Sequence, residues 1–199
     1  MREFIIYSSK GATTPDFNLK DLPGSGGRMD LICKSIISAL WLSNDMRKDT
    51  RINICLNGEP DPPLTIKLDG SSLKRVSPDE RNIATWLKKC LRYRDVVEDG
   101  WMETHDGIYL SKLDINKLLE KISHHPLYLL ERKGDDIRDL KVEKDPIFIL
   151  GDHKGFPKKI LKKCEEMGVE KISVGPREYF TSHSVTLVHN EIDRREKTF

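Results

Sequence analysis

Pro146-Ile147-Phe148-Ile149-Leu150-Gly151-Asp152-His153-Lys154-Gly155 is the stretch on which the reading of this chain turns. Ile147 to Leu150 is short, β-branched and aromatic, with no polar position, as a strand buried on both faces should be. It stops at Gly151 and gives way to a polar cluster. A second expected strand, Lys171 to Val174, stops at Gly175-Pro176, and a basic helix is expected between them over 157–167. Two parallel-type strands that each end in glycine form a rim where main chain can approach a flat ligand. Ligands of α/β sheets sit at the carboxyl ends of strands, so a binding site is expected here.

Working outward, a terminal helix is expected from about Thr181, carrying Val185, Val188 and Ile192 as an apolar strip beside His189. Upstream lie a strand over Leu127 to Glu131, a turn at Lys133-Gly134-Asp135, and a helix over Asp114 to Ser123 capped by Asp114. Strands and helices alternate through this half, which implies parallel α/β architecture. Asp95 to Asp106 reads as a loop, and Gly107 to Leu110 as a short strand.

The amino-terminal half opens with a strand over Phe4 to Tyr7 and a polar loop from Ser8 to Gly27. A helix is expected from Arg28 to Asn44, with Met29, Ile32, Cys33, Ile36, Ala39, Leu40 and Leu42 on its apolar face. The glycines before it lack the third glycine of a dinucleotide fingerprint and the Lys-Ser/Thr of a P-loop. Strands over Arg51 to Leu56 and Leu64 to Leu68 flank Asn57-Gly58-Glu59-Pro60-Asp61-Pro62-Pro63, whose prolines hold Asp61 away from any ladder. Ser77-Pro78-Asp79-Glu80 reads as a capping box with Ser77 as N-cap, opening a helix to about Tyr93. Between Lys74 and Arg94, Lys74, Arg75, Arg81, Lys88, Lys89, Arg92 and Arg94 stand against Asp79 and Glu80. That excess is what a phosphate-contacting surface looks like; the plainer alternative is a solvated helix face.

At 199 residues the chain is long enough for a substantial core, and it is expected to form a single domain over 1–199. Net charge is +2 with 33% of residues charged, which excludes a histone-like polycation. With no apolar run of membrane-spanning length and no signal-peptide pattern, a soluble cytoplasmic protein is expected. Cys33, Cys55, Cys90 and Cys164 are widely spaced and form no C-x-x-C pair, so neither a disulfide framework nor a zinc site is expected. His124-His125 read as surface residues pointing apart. His183 and His189 are misaligned on a helix, and His153 has no carboxylate–histidine pattern around it, so no metal is expected.

Four blocks, in order, carry a resemblance: Met1-Arg2-Glu3-Phe4, Leu19-Lys20-Asp21-Leu22-Pro23-Gly24-Ser25, Val76-Ser77-Pro78-Asp79-Glu80-Arg81-Asn82-Ile83-Ala84, and Phe148-Ile149-Leu150-Gly151-Asp152-His153. Over nearly its whole length the chain resembles the SPOUT superfamily of knotted methyltransferases, and within it the archaeal tRNA (pseudouridine-54) N1-methyltransferase family. One departure is Ser184, where that family often has cysteine. The resemblance implies a largely parallel sheet flanked by helices, with a deep trefoil knot toward the carboxyl terminus. It divides the chain into an RNA-facing part, 1–125, and a knotted cofactor-binding part, 126–199. It implies S-adenosylmethionine as cofactor, surrounded by Leu130, Gly151, Val174, Gly175, Pro176, Arg177, Glu178, Tyr179 and Ser184. It further implies tRNA as substrate and a homodimer, for which Val185, Val188 and Ile192 offer an apolar strip.

Methyl transfer to a ring N–H needs alignment, exclusion of water, a base for the proton and a cation near the forming anion. Asp61 is the favoured base and Asp30 its rival, although Asp30 also suits the helix dipole. Arg28 is the candidate for holding the target nucleotide, and Lys88, Lys89 and Arg92 for the RNA backbone. Two competing readings are a related knotted N1-methyltransferase of ribosomal RNA and a noncatalytic RNA-binding factor on the same scaffold. The absence of a large basic insertion disfavours the first, and the intact Gly151 and Gly175 turns disfavour the second.

Overall fold

The fold is that of a computed structural model describing residues 1–196. In chain order its elements are β1 (Arg2–Ser8), α1 (Met29–Leu40), β2 (Thr50–Leu56), β3 (Leu64–Asp69) and α2 (Glu80–Cys90), which tightens into a 3-10 turn at Leu91–Tyr93. There follow β4 (Met102–His105), β5 (Ile108–Ser111), α3 (Ile115–Lys121), β6 (Leu127–Asp136), β7 (Ile147–Gly151), α4 (Lys158–Glu166), β8 (Glu170–Ser173) and α5 (Thr181–Glu196). The strands form one sheet in the order β4-β5-β3-β2-β1-β7-β6-β8. From β2 to β8 every pairing is parallel, whereas β2-β3, β3-β5 and β5-β4 are antiparallel. The sheet is therefore mixed, and the parallel architecture expected from the alternation holds for one half of it.

Period-two alternation sends the two sides of each strand into two cores. Phe4, Ile6, Ile52, Ile54, Ile66, Leu68 and Phe148 pack against α1, α2 and α5, while Ile5, Tyr7, Cys55, Ile147 and Ile149 pack against α3 and α4. Burial pushes the Cys33, Cys55 and Cys90 thiols up to about 12, so they serve as small core residues and not as nucleophiles.

Several expectations are corrected. Val185, Val188 and Ile192 are buried within the chain itself, in the core shared with α1, so this strip cannot be the dimer surface. The N-cap of α2 is Asp79, whose carboxylate accepts from the Asn82 amide at 2.8 Å, and not Ser77. α1 ends at Leu40, leaving Leu42 exposed. Met102–His105 is an edge strand, hidden in sequence by its polar composition. β6 continues through Gly134 to Asp136, with a register shift between Leu130 and Asp135 against β8. A Cβ at Gly134 would lie 2.5 Å from the Ile172 backbone, so this glycine permits close strand approach and makes no turn. The His124 and His125 rings lie together, with centroids 4.2 Å apart.

α5 is fastened by a polar cluster at the opposite end of the sheet from the Gly151 rim. Arg2 donates to the Asp193 carboxylate at 2.6 Å and to His189 Nδ1 at 3.1 Å, and Arg47 also pairs with Asp193.

Candidate active site

Parallel register brings Ser8 level with Leu56, and Tyr7 level with Gly151, so β1, β2 and β7 end on one rim. Beside β7 this rim opens into a cleft of about 600 Å³. Leu130, Leu150, Ile172 and Val174 supply apolar lining, and the segments 151–156 and 177–182 form polar walls. Of the residues expected around a cofactor, Leu130, Gly151, Val174, Arg177, Glu178, Tyr179 and Ser184 line it. Gly175 and Pro176 belong to the turn between them but do not face the cleft.

Two glycines here are required for different reasons. Gly175 has φ 142°, a conformation that side-chain-bearing residues rarely adopt, and its turn is closed by the Ser173 hydroxyl. At Gly151 a Cβ would lie 2.9 Å from the Gly155 backbone, because the following turn folds back over the strand end. Close approach of its own chain therefore requires a glycine here. The Thr181 hydroxyl donates to the Gly151 carbonyl at 2.8 Å, tying the start of α5 to the end of β7.

Asp152 links this cleft to the amino-terminal half. Its carboxylate accepts from both the amide and the hydroxyl of Ser9 at 2.7 Å, and from the Lys154 amide at 2.9 Å. It also borders a small cavity shared with Arg28, Leu31, Ser35 and Thr181. Sequence reading passed over Asp152; its place directly after the glycine that ends β7 was the available signal.

Arg28 takes a left-handed backbone, φ 69°, and grips Asp30 with two hydrogen bonds of 3.0 and 2.9 Å. The Arg28 hydrogen bond holds the Asp30 carboxyl below the usual carboxylate range, against the opposing effect of burial. A carboxylate so engaged is a poor proton acceptor.

Asp61 sits on a loop suspended from Thr13, whose hydroxyl accepts from the Asp61 amide at 2.8 Å and donates to the Gly58 carbonyl at 3.0 Å. Gly58 N–H in turn donates to the Gly11 carbonyl at 3.0 Å, joining this loop to the segment that carries Ser9. The Asp61 and Asp95 carboxylates, 58% and 79% exposed, each lie 3.5 Å from Arg94 Nε. Arg94 itself is only 22% exposed, and its Nε and Nη1 are buried without a hydrogen-bond partner among the described residues. Buried guanidinium donors without a hydrogen bond are costly and rare, and here two carboxylates stand just beyond bonding reach. The structure thus pairs Asp61 with Arg94 and Arg28 with Asp30. Arg94 was visible in sequence only as one more basic residue.

The basic helix divides its cations. Lys88 donates to the Phe17 carbonyl at 2.8 Å and so braces α2 against the loop after β1. Arg92 is exposed, and Lys89 is exposed with its ammonium 3.9 Å above the Trp86 ring.

Residues 1–197 match the family model described as "Putative SAM-dependent RNA methyltransferase". The chain belongs to this family. This family member is 40% identical over 201 residues to the tRNA (pseudouridine(54)-N(1))-methyltransferase of Methanocaldococcus jannaschii, covering 98% of each chain. It is 44% identical over 198 residues to the enzyme of that name from Methanococcus maripaludis strain C7, covering 98% of this chain and 99% of that one. Among solved structures, Archaeoglobus fulgidus Nep1 bound to S-adenosylhomocysteine superposes with a TM-score of 0.68 over 98% of this chain and 99% of that chain, at 13% identity, which is a likeness of fold.

The cofactor of this methyltransferase family is S-adenosylmethionine. The cleft suits it in kind: the volume falls within the usual range for small-molecule sites, and apolar lining for a flat heterocycle adjoins charged groups for a zwitterion. Arg132 and Glu178, 3.7 Å apart on the rim, are such a pair. Among the described residues no cluster of three or more His, Cys, Asp or Glu could hold a metal, and no helix is long and apolar enough to cross a membrane.

Proposed function

We propose that this chain methylates N1 of pseudouridine 54 in the T arm of tRNA, using S-adenosylmethionine. The observation that carries the reading is the shared rim. A cofactor-sized cleft and an exposed carboxylate beside an unsatisfied arginine occupy neighbouring loops at the carboxyl ends of the strands. When bound, the cofactor supplies a methyl already activated on a sulfonium. The chain's own work is then to hold, align and deprotonate. Leu130, Gly151, Val174, Arg177, Glu178, Tyr179 and Ser184 would hold the cofactor, with Gly175 and Pro176 shaping the turn. Asp61 takes the N1 proton, and Arg94 stabilises the anion that forms as the proton leaves. Arg28, fixed by Asp30 beside Asp152, positions the nucleotide. Lys89 and Arg92 meet backbone phosphates, and Lys88 holds their helix in place.

The reading extends to architecture: an RNA-facing part over 1–125 and a cofactor part over 126–199, with a trefoil knot in the latter. The knot is supported by the strand order β7-β6-β8 and by Arg195 of α5, which donates to the carbonyls of Ile137 and Leu140 in the segment joining β6 to β7. It is further read as a homodimer formed through the outer face of α5, where Leu187 is exposed, and the exposed Phe180 just before it. An enzyme of tRNA works where tRNA is, in the cytoplasm.

The test is mass spectrometry of tRNA fragments after incubation with enzyme and S-adenosylmethionine, comparing transcripts that carry uridine or pseudouridine at position 54. One added methyl on the pseudouridine transcript alone is expected. Methylation of both, or of neither, overturns the assignment.

A further inference from the structure

At the far edge of the sheet, α2 and β4 enclose a pocket of about 260 Å³ lined by Trp86, Lys89, Cys90, Arg92, Tyr93, Thr104 and His105. It has no part in the cofactor cleft. Along the strand order β4-β5-β3-β2-β1-β7 the two lie roughly 25 Å apart, at about 5 Å per strand.

We propose that this pocket is a stacking subsite for one unpaired base of the RNA, with Lys89 and Arg92 taking the phosphates on either side of it. The inference rests on the reading of this chain as an RNA methyltransferase and adds to it a second point of contact. Trp86 and His105 are stacked, with centroids 3.9 Å apart and planes at 15°. His105 is itself held by its Nε2 contact with the Lys74 carbonyl at 3.0 Å. One face of the indole is therefore backed by a fixed ring. Lys89 Nζ lies 3.9 Å from the same indole centroid, which sterically requires the opposite face. The tip of the flexible Lys89 chain lies over that face, and a base can displace it toward its own phosphate. Tyr93 adds a second ring, 45% exposed. Among the described residues neither Lys89 nor Arg92 pairs with a carboxylate, so both charges are uncommitted. Aromatic faces interleaved with free cations are the composition of single-strand nucleic-acid sites, because every base has a π-face and every nucleotide a phosphate. An apolar partner would gain little from the two cations, and an acidic peptide little from the rings. The pocket's turn continues directly into Arg94, next to Asp61, so a strand held here runs toward the proposed base.

The test compares wild type, Trp86→Ala, Trp86→Phe, Tyr93→Ala and Lys89→Ala/Arg92→Ala. Each is titrated with a tRNA transcript, a single-stranded oligouridylate and an RNA duplex of equal length, over a range of salt. Trp86→Ala should weaken single-strand and tRNA binding by about fivefold to a hundredfold, with the salt slope unchanged, since stacking releases no counterions. Trp86→Phe should restore most of the loss, and duplex binding should be indifferent to both. The Lys89/Arg92 variant should instead flatten the salt slope by about two. Because Tyr93 is a surface ring, Tyr93→Ala carries the test should Trp86→Ala fail to fold. If both alanine variants fold and bind single strands within about twofold of wild type, there is no stacking subsite. If wild type fails to methylate the pseudouridine transcript yet binds oligouridylate through Trp86, the subsite stands and the proposed reaction falls.

Discussion

In the half of the sheet made by β2, β1, β7, β6 and β8 the strands run parallel, and their carboxyl ends meet on one rim; in the half made by β3, β5 and β4 they double back. The parallel half needs helical crossovers, which bury both faces of its strands and leave only the rim free for chemistry. There, backbone turns such as 151–155 and 173–175 do the shaping. In the antiparallel half α2 carries the chain from β3 past β5 to β4, so the sheet ends in a short edge strand with α2 packed near it. Side chains do the shaping there: Trp86, His105, Lys89 and Arg92. On the function proposed above, one half would enclose a small molecule and the other would lie against a long one. Asp61, on the loop joining β2 to β3, stands where the two halves meet.

The strongest test of that division acts at the junction. Asp61→Asn keeps size and hydrogen-bonding shape but cannot accept a proton near neutral pH. Methylation should slow by about a hundredfold to ten-thousandfold. Dissociation constants for tRNA and cofactor, measured by calorimetry, should hardly change, and raising the pH should partly restore the rate. Near-normal turnover would leave Asp61 a turn residue.

A smaller effect is expected in the parallel half alone. Gly175→Val forces a β-branched residue to φ 142° and should distort the turn that carries Arg177 to Tyr179. Strain of this kind costs about 1–3 kcal/mol, and because the turn relieves it by leaving the shape that lines the cleft, cofactor affinity should fall by up to about a hundredfold. RNA affinity should be untouched. A variant that loses RNA binding as well would show that the two halves are not separable.

In the antiparallel half, Lys88→Ala makes the sharper comparison with its neighbours. Lys88 is spent on the Phe17 carbonyl, so its loss should lower thermal stability while leaving the salt dependence of RNA binding as it was. Losing Lys89 and Arg92 should do the reverse. If Lys88→Ala flattens the salt slope instead, the brace reading is wrong and all three residues act as one phosphate track.

Legibility followed the same division. The buried strand Ile147–Gly151 was readable because a continuous apolar run ending in glycine has few other uses, and Glu170–Ser173 because it too runs into a glycine turn after a helix. Met102–His105 was not, since an edge strand has one free side and can be almost wholly polar. The apolar strip of α5 was seen correctly and misassigned. An amphipathic face looks the same in sequence whether its partner is α1 of the same chain or a second copy. Arg94 was hidden for a related reason, since composition counts a charge but only packing shows that its donors are buried and unmatched. The resemblance could not say that a Cβ at Gly151 would meet the Gly155 backbone.

The smallest expected effect concerns how the parallel half is closed, and it is a pH slope. His189 of α5 is buried against the Phe4 ring, with Nε2 3.0 Å from the Ala39 carbonyl and Nδ1 3.1 Å from an Arg2 nitrogen. The guanidinium can only donate, so Nδ1 accepts and the proton of the neutral ring sits on Nε2. A second proton would have to enter at Nδ1, against Arg2. Burial, and then the charges of Arg47 and Arg2, hold the His189 pKa down to about 3, despite the nearby Asp193 carboxylate. In the unfolded chain the value returns to about 6.5. Between those limits the unfolded state binds the extra proton, so the contribution of His189 to stability falls as pH falls. From pH 7 to pH 6 the loss is about 0.7 kcal/mol, or about 2 °C in melting temperature for a chain of this size. His189→Asn should melt lower at neutral pH, yet lose less on going from pH 7 to pH 6 than wild type does. Equal losses in the two proteins would mean that other histidines set the slope, and that the closure of α5 over β1 is indifferent to acid in this range.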